Sequence, residues 1–266
     1  MCFAVVGLCL SHAVTPPSAS LPKILKSEKH IKNMILDTRL RAAADMVPRG
    51  ARLADIGSDH AYLPIALCLE NKIEYALASD INEGPVASAV ANIAKNGLSD
   101  RIRAIRADGL DSARDFGPDC ITILGMGGEL IVSILDKAPW VRDESITLVL
   151  QPMTHAEVLA KYLAEKGFEV TDEKIVSVGE RQDRIYRLIK ARFDGKKRET
   201  HEAEAMIGKI NIERGDEVTR RYIRRAVNII KTKITGKEKA HADTSRERAL
   251  LSCLEEYIKD EKYEGN

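Results

Sequence analysis

One unit repeats along residues 52–192: a short apolar run, a turn that contains glycine or aspartate, and then a helical stretch. Five apolar runs begin such a unit, at residues 53–56, 75–81, 102–107, 120–126 and 146–150, although the turn after the fifth has Gln-Pro in place of glycine or aspartate. Two more runs, at 169–178 and 184–191, follow each other without a helical stretch, which indicates a closing hairpin and an antiparallel edge. Short apolar strands separated by helices are typical of a parallel sheet that is buried on both faces. The repeat therefore predicts a doubly wound α/β fold.

The composition changes after residues 193–197. The segments 202–233 and 237–262 are charged and contain no proline, and their apolar residues recur at helical spacing. We expect two antiparallel helices that are joined near Gly236 and form a coiled-coil-like C-terminal domain. The predicted division of the chain is an N-terminal extension over 1–33, a ligand-binding α/β domain over 34–195 and a helical domain over 196–266.

Composition and spacing exclude several classes of protein. No apolar run approaches the ~20 residues that a membrane span needs, and no Lys or Arg precedes the apolar run at 3–10, as it would in a secretory signal. The five cysteines are far apart and contain no C-x-x-C pair, which disfavours a disulfide framework or a zinc knuckle. These features predict a cytoplasmic protein that binds no metal and no membrane.

The loops that follow the strands should carry the ligand site, because open α/β sheets bind ligands beyond the carboxyl ends of their strands. The first loop has one glycine, Gly57, where a pyrophosphate site would have the pattern G-x-G-x-x-G. Asp59 in this loop would repel a diphosphate, whereas it can accept a hydrogen bond from an ammonium group. Asp80 closes the second strand, where a carboxylate can bind two ribose hydroxyls. This pattern favours S-adenosylmethionine over a nicotinamide dinucleotide, and an NAD-linked oxidoreductase remains an alternative.

Four segments carry a family resemblance. DIGSDHAYLP (55–64), DGL (108–110), ILGMGG (123–128) and LQPMTHAEVL (150–159) together resemble the bacterial tRNA (adenine(22)-N1)-methyltransferases. The resemblance runs from about residue 39 to the C-terminus. It implies a Rossmann-like class I methyltransferase domain with sheet order 3-2-1-4-5-7-6 and a coiled-coil C-terminal domain. It also implies S-adenosyl-L-methionine as cofactor, tRNA as partner and N1-methyladenosine as product.

The resemblance further implies which residues bind the cofactor. Asp55, Gly57 and Asp59 are expected at its methionine end, and Asp80 with Ile81 is expected at the ribose and the adenine ring. Asp108, with Gly109 beside it, is expected to contact the adenine amino group. The residues expected next to the sulfonium are Gly125, Met126 and Gly127.

The acceptor atom explains why the sequence shows no evident general base. Adenine N1 has an in-plane lone pair that can attack a methyl group directly, and the product ring is cationic. A nearby carboxylate would stabilise that charge, and Asp59 is the candidate, with His60 and Tyr62 shaping the pocket. After the fifth strand, Gln151 can read the Watson–Crick edge of an adenine while Pro152 holds the loop.

These candidates also have structural interpretations. The His–Tyr pair can simply cap and pack the first helix. The Gln–Pro pair can form the entry turn of a helix whose capping box consists of Thr154 and Glu157. The fourth strand ends in Gly-Met-Gly-Gly, whereas many N6-adenine methyltransferases have an Asn/Asp-Pro-Pro-aromatic loop there, so methylation of the exocyclic amine is disfavoured.

Positive charge is concentrated in the C-terminal segment. Residues 220–239 carry eight basic side chains against one acidic side chain, in a chain whose net charge is +1. A basic helix face can follow a phosphate backbone, and the expected RNA-binding residues are Arg220, Arg221, Arg224, Arg225, Lys231 and Lys233. The alternatives are a solvated helix face and, for the whole chain, a non-catalytic RNA-binding protein on a methyltransferase scaffold. We expect the protein to be a monomer.

Overall fold

The structure is a computed structural model that describes residues 36–179 and 184–259. The strands are β1 (Leu53–Ile56), β2 (Ala76–Asp80), β3 (Ile102–Arg106), β4 (Cys120–Met126), β5 (Thr147–Pro152), β6 (Phe168–Val178) and β7 (Arg184–Phe193). The α-helices are α1 (Thr38–Met46), α2 (Tyr62–Leu69), α3 (Glu83–Lys95), α4 (Gly128–Lys137), α5 (Ala156–Glu165), α6 (Glu202–Ile207), α7 (Lys209–Arg214), α8 (Glu217–Lys239) and α9 (Ser245–Lys259). The extension predicted for residues 1–33 lies outside the described residues.

All seven strands form one sheet in the order β3-β2-β1-β4-β5-β7-β6, as predicted. The strands β1 to β5 pair in parallel, and β7 is antiparallel to both β5 and β6. The closing hairpin is therefore confirmed. The antiparallel edge of the sheet is confirmed as well, because β7 runs against both of its neighbours, β5 and β6.

Helices cover both faces of this sheet. One apolar layer lies under α1, α2 and α3, and the other lies under α4 and α5. Alternate residues of β1 enter the two layers, with Leu53 in the first and Ala54 in the second. All four residues of β1 are buried in consequence. None of the described helices is long and apolar enough to cross a membrane.

The C-terminal helices differ from the predicted boundaries. The segment 202–233 contains three helices and not one, because Gly208 and Gly215 adopt positive φ angles of 96° and 56° that end α6 and α7. α8 continues through Gly236, and the turn to α9 lies at residues 240–244. A single glycine inside a helix costs only about 1 kcal/mol, which a helix of 23 residues tolerates.

α8 and α9 pack against each other as an antiparallel pair. Lys231 pairs with Glu255 at 2.9 Å, and Lys237 pairs with Glu247 at 2.6 Å, so the residue numbers rise in one helix as they fall in the other. Isoleucines of α8 and leucines of α9 share one apolar cluster with Ile175 of β6. The antiparallel helix pair is present as expected, while a supercoil and a domain boundary at residue 195 remain predictions.

A buried ion pair joins the β6–β7 hairpin to the C-terminal helices. Glu173 of β6 and Arg187 of β7 are ion-paired, and the side chain of each is 2% exposed. Arg187 also donates to the carbonyl of Ala205 in α6 at 2.6 Å. Gly208 lies so close to the Glu173 carboxylate that any β-carbon at this position would overlap with it. The helices therefore dock on the sheet through a satisfied polar contact within the apolar cluster.

Candidate functional site

The loops after β1, β2, β4 and β5 meet at the carboxyl edge of the sheet. The backbone N–H groups of Gly57 and Ser58 donate to the carbonyl of Ser79 at 2.8 and 2.9 Å, which ties the first two loops together. The N–H of Met153 donates to the carbonyl of Met126 at 2.7 Å, which ties the other two. The structure thus brings the predicted strand-end residues to one edge.

Asp55 is the buried carboxylate of this edge. It is 6% exposed and accepts a hydrogen bond from the Thr122 hydroxyl at 2.6 Å. Burial raises the pKa of Asp55, and the nearby hydroxyls of Ser58 and Thr122 and the charge of Arg39 act in the opposite direction. The carboxylate therefore links β1 to β4 beneath the loop, and its contact with a cofactor remains a prediction.

Asp59, His60 and Tyr62 form an accessible cluster after β1. The side chain of Asp59 is 67% exposed, and its Oδ2 lies 3.4 Å from Nε2 of His60. The rings of His60 and Tyr62 stack with their centroids 5.0 Å apart. Ala61 is the N-cap of α2, with a φ of 55° and no side-chain cap, so the pair does not cap the helix. The cluster instead presents a carboxylate beside a ring stack.

The ends of β2 and β3 carry the acceptors predicted for a ribose and an adenine. One oxygen of Asp80 accepts a hydrogen bond from the N–H of Asn82 at 2.8 Å, and the other has no hydrogen-bond partner among the described residues. Ile81 is 53% exposed. Asp108, which Gly109 follows, is exposed as well.

The loop after β4 packs closely against its neighbours. The methyl end of Met126 rests on Gly57, where a side chain would overlap with it. Gly127 is the N-cap of α4. At Gly128 a β-carbon would overlap with the carbonyl of His155, so the backbones of the β4 and β5 loops touch only because this residue is glycine.

Gln151 is fully buried and its amide is bonded within the protein. Its Oε1 accepts hydrogen bonds from Nη1 of Arg39 at 3.0 Å and from the N–H of Gly125 at 3.1 Å. Its Nε2 donates to the carbonyl of Pro152 at 3.0 Å and to Sδ of Met153 at 3.4 Å. These four contacts use both ends of the amide and join β4 to β5, and the reading of a base by Gln151 remains a prediction.

Comparison with known proteins identifies the chain. The profile of the family described as "Methyltransferase domain" matches residues 36–189. The crystal structure of the Bacillus subtilis m1A22 tRNA methyltransferase superposes with a TM-score of 0.71 and 30% identity, over 85% of this chain and 97% of that chain. The chain belongs to this methyltransferase family. The resemblance carried by the four sequence segments is thereby confirmed.

A sequence comparison with the Bacillus subtilis enzyme and a second solved structure show the same similarity. The tRNA (adenine(22)-N(1))-methyltransferase of Bacillus subtilis (strain 168) is 40% identical over 141 residues, which are 53% of this chain and 59% of that protein. The alignment thus spans about three-fifths of the relative's length. A Streptococcus pneumoniae protein crystallised with S-adenosyl-L-methionine has a TM-score of 0.74 and 26% identity, over 84% of this chain and 100% of that chain.

The capping box predicted for α5 of the methyltransferase is wrong. The N-cap is His155, whose φ of 51° is left-handed and whose side chain makes no cap bond. Glu157 lies 3.4 Å from Nδ1 of His155 and does not close a box with Thr154. The close approach of Gly128 to the His155 backbone explains why the helix begins in this way.

Arg39 is a residue of the site that sequence reasoning missed. It lies on α1, before the first strand, and its guanidinium contacts Gln151 and stands 6.0 Å from the ring centre of Tyr186. Two positions further on, Arg41 forms an ordinary surface pair with Glu70 at 2.8 Å. The two arginines look alike in the sequence, and only the fold brings one of them to the strand ends.

The basic run of α8 divides into two groups. Arg220 and Arg224 are paired with Glu217 at 3.2 and 3.1 Å, and Lys231 is paired with Glu255. For Arg225 and Lys233 the described part of the chain provides no ion pair. Three of the residues expected to bind RNA are therefore engaged in ion pairs, and RNA binding by the helix remains a prediction.

Residues 36–179 and 184–259 contain no cluster of three or more His, Cys, Asp or Glu side chains that could hold a metal ion. Cys120 is fully buried within β4, and this burial raises the pKa of its thiol.

Proposed function

We propose that this chain transfers the methyl group of S-adenosylmethionine to N1 of adenine 22 of tRNA. The observation that carries the proposal is the loop after β1, where a single glycine is followed by the exposed carboxylate of Asp59. This carboxylate disfavours a dinucleotide, and hence an NAD-linked oxidoreductase, and it suits a cationic ring. The names of the Bacillus subtilis relatives support the same substrate class, and the Streptococcus pneumoniae structure supports the same donor.

The residues at the edge of the sheet fit the cofactor. Asp80 has an open oxygen for ribose hydroxyls, Ile81 and Asp108 suit the adenine ring and its amino group, and Asp59 suits the ammonium of the methionine end. The hydroxyl of Ser79 is buried without a partner in the described part of the chain, as expected beside a site that a polar ligand completes. The bound cofactor supplies an electrophilic methyl group on a positively charged sulfur.

The reaction needs no proton transfer. With the cofactor bound, the in-plane lone pair of adenine N1 would accept its methyl group without a general base, and the methylated ring would carry the positive charge. Asp59 is placed to stabilise that charge, and the stack of His60 and Tyr62 provides a flat surface for the base. A base held in folded tRNA must first be extruded to reach such a pocket.

Arg39, Gln151 and Pro152 act by positioning. The guanidinium and the amide hold the loops after β4 and β5 at a fixed distance through the N–H of Gly125 and the carbonyl of Pro152. The floor of the methyl-transfer site is thereby kept rigid. Residues 34–195 would form the catalytic domain and residues 196–266 an RNA-binding domain, in a monomer that acts in the cytoplasm.

Methylation of unmodified tRNA tests the proposal directly. The full chain is incubated with S-adenosylmethionine and a tRNA transcript, and the digested nucleosides are analysed by mass spectrometry. The expected product is N1-methyladenosine, and a transcript with guanine at position 22 should give none.

Other outcomes would contradict specific parts of the proposal. N6-methyladenosine as product would contradict the acceptor atom, and methylation of the guanine-22 transcript would contradict the position. Binding of tRNA without any methyl transfer would favour the non-catalytic alternative.

A further inference from the structure

A groove runs between the methyltransferase domain and α8. One wall is the loop at residues 152–157, the floor is the start of β7, and the other wall is a face of α8. Its volume is about 590 Å³. The first wall contains Met153, whose N–H donates a hydrogen bond to the carbonyl of Met126 at the end of β4. One end of the groove therefore adjoins the loop after β4 at the carboxyl edge of the sheet.

The charges that line this groove are mainly positive. Arg184, Arg225 and Lys233 line it, and no ion pair holds them within the described residues. The acidic side chain there is Glu157, which lies 3.4 Å from His155. Arg187 also lines the groove, but the buried Glu173 neutralises it. On α8, Arg225 and Lys233 line the groove, whereas Arg224 and Lys231 form ion pairs.

The groove also has an accessible apolar surface. Met153 on one wall and Ile229 on the other are 48% and 47% exposed. Tyr186 and Tyr222 also line the groove. Flat and apolar side chains that alternate with cations are typical of surfaces that bind a single nucleic-acid strand.

We propose that this groove binds the RNA strand next to the target base, with Arg225 and Lys233 on its phosphates and Ile229 against a base. The inference rests on the proposed function and specifies where its substrate runs. Lys233 follows Arg225 by eight positions in α8, which is about 12 Å along the axis, enough for a short stretch of nucleotides. Positive charge on an apolar groove that opens at the strand ends suits this occupant better than an apolar peptide.

Three paired substitutions on the full chain test the groove. The groove variant is Arg225→Gln with Lys233→Gln. The comparison variant is Arg224→Gln with Lys231→Gln, which removes two charges from the ion-paired side of the same helix. The control is Arg246→Gln with Arg248→Gln on α9, whose side chains are paired with Glu202 and Glu238. All three lose the same charge, so a general loss of attraction affects them equally.

Binding of a tRNA transcript is measured at several salt concentrations, together with kcat and KM. The groove variant should bind at least tenfold more weakly, and the log–log salt slope should flatten by roughly 1.4 because two phosphate contacts are lost. Its kcat at saturating tRNA should stay within threefold of wild type. The comparison variant should lose no more than threefold in affinity, and the control should match wild type.

A fourth variant, Ile229→Ser, tests the apolar contact alone. It should weaken binding about threefold or more without a change in the salt slope. Equal losses in the groove and comparison variants would overturn the inference in favour of diffuse attraction by the whole helix. Full affinity of the groove variant would overturn the inference as well, because it would show that the groove does not bind the RNA. Since binding is scored separately from methyl transfer, failure of the groove and failure of the proposed function are distinguished.

Discussion

Among single residues, substitution of Asp59 tests an effect on the methyl-transfer rate apart from an effect on tRNA binding. Asp59→Asn keeps the size of the side chain but removes the charge that would stabilise the cationic ring. We expect kcat to fall about 100-fold, as for the loss of one preorganised electrostatic contact, while the affinity for tRNA barely changes. The assay is steady-state methylation at saturating donor, because the same loop is proposed to hold the methionine end. Asp100→Asn, an exposed carboxylate in the turn before β3, is the matched control; equal kcat in the two variants would make Asp59 dispensable.

Arg39 should act on the rate through Gln151. Arg39→Lys keeps a positive charge near Asp55 but loses the fixed fork of the guanidinium that meets Oε1 of Gln151 at 3.0 Å. The expected result is a drop in kcat of about tenfold, with KM for both substrates within twofold and an unchanged melting temperature. Arg41→Lys, which alters only the surface pair with Glu70, should leave kcat unchanged. A rise in KM alone would assign Arg39 to binding.

The limits of sequence reasoning are clearest at Gln151. Its place after the fifth strand and its hydrogen-bonding capacity were visible, and both fit a residue that reads a base. Its partner Arg39 is 112 positions away in the chain, and nothing local reveals that the amide is already occupied. By contrast, the placement of Asp59 and Asp80 beyond the strand ends could be predicted, because it depends only on the local pattern of apolar runs.

Among the structural elements, the break between α6 and α7 depends on one glycine. Gly208→Ala would place a β-carbon against the buried Glu173 carboxylate in a backbone with a φ of 96°. We expect a loss of at least about 2 kcal/mol of stability from backbone strain and overpacking. Gly236→Ala is the matched control, since nothing lies within 4 Å of its β-carbon inside α8, and it should gain about 0.5–1 kcal/mol. Urea unfolding measures both, and similar values for the two would refute the contact.

The same two glycines explain why the sheet was predicted more accurately than the C-terminal helices. Each strand between residues 53 and 152 is an apolar run with a local turn signal, and its order follows from the family. Gly208 ends a helix because of Glu173, which lies 35 positions earlier, whereas Gly236 has no such neighbour and the helix passes through it. The sequence alone does not indicate which of the two glycines ends a helix, because the difference arises from a tertiary contact.

For the whole molecule, acid should weaken the C-terminal helices before the sheet. Hydrogen bonds from basic side chains of α8 and α9 hold the pKa of Glu202, Glu217 and Glu247 below the usual value of 4.5. A lowered pKa in the folded state contributes stability that is complete at pH 7 and is lost as the pH falls below about 4.5. The raised pKa of Asp55 acts in the opposite direction within the sheet.

Thermal melts at pH 7 and pH 4, followed by circular dichroism, measure this effect. The pairs are exposed, so the expected decrease in melting temperature is small, roughly 2–4 °C. It should shrink in 1 M salt, which screens exposed charges. An unchanged or higher melting temperature at pH 4 would show that the ion pairs contribute nothing.

The position of β7 between β5 and β6 has a consequence for synthesis on the ribosome. The sheet is completed out of chain order, because β5 obtains its outer neighbour only after residues 184–193 have emerged. Until then a nascent chain presents β5 as an open edge, with unpaired N–H and C=O groups that invite association with other strands. The hairpin thus completes the sheet late, and β5 stays an open edge between the translation of residue 152 and that of residue 193.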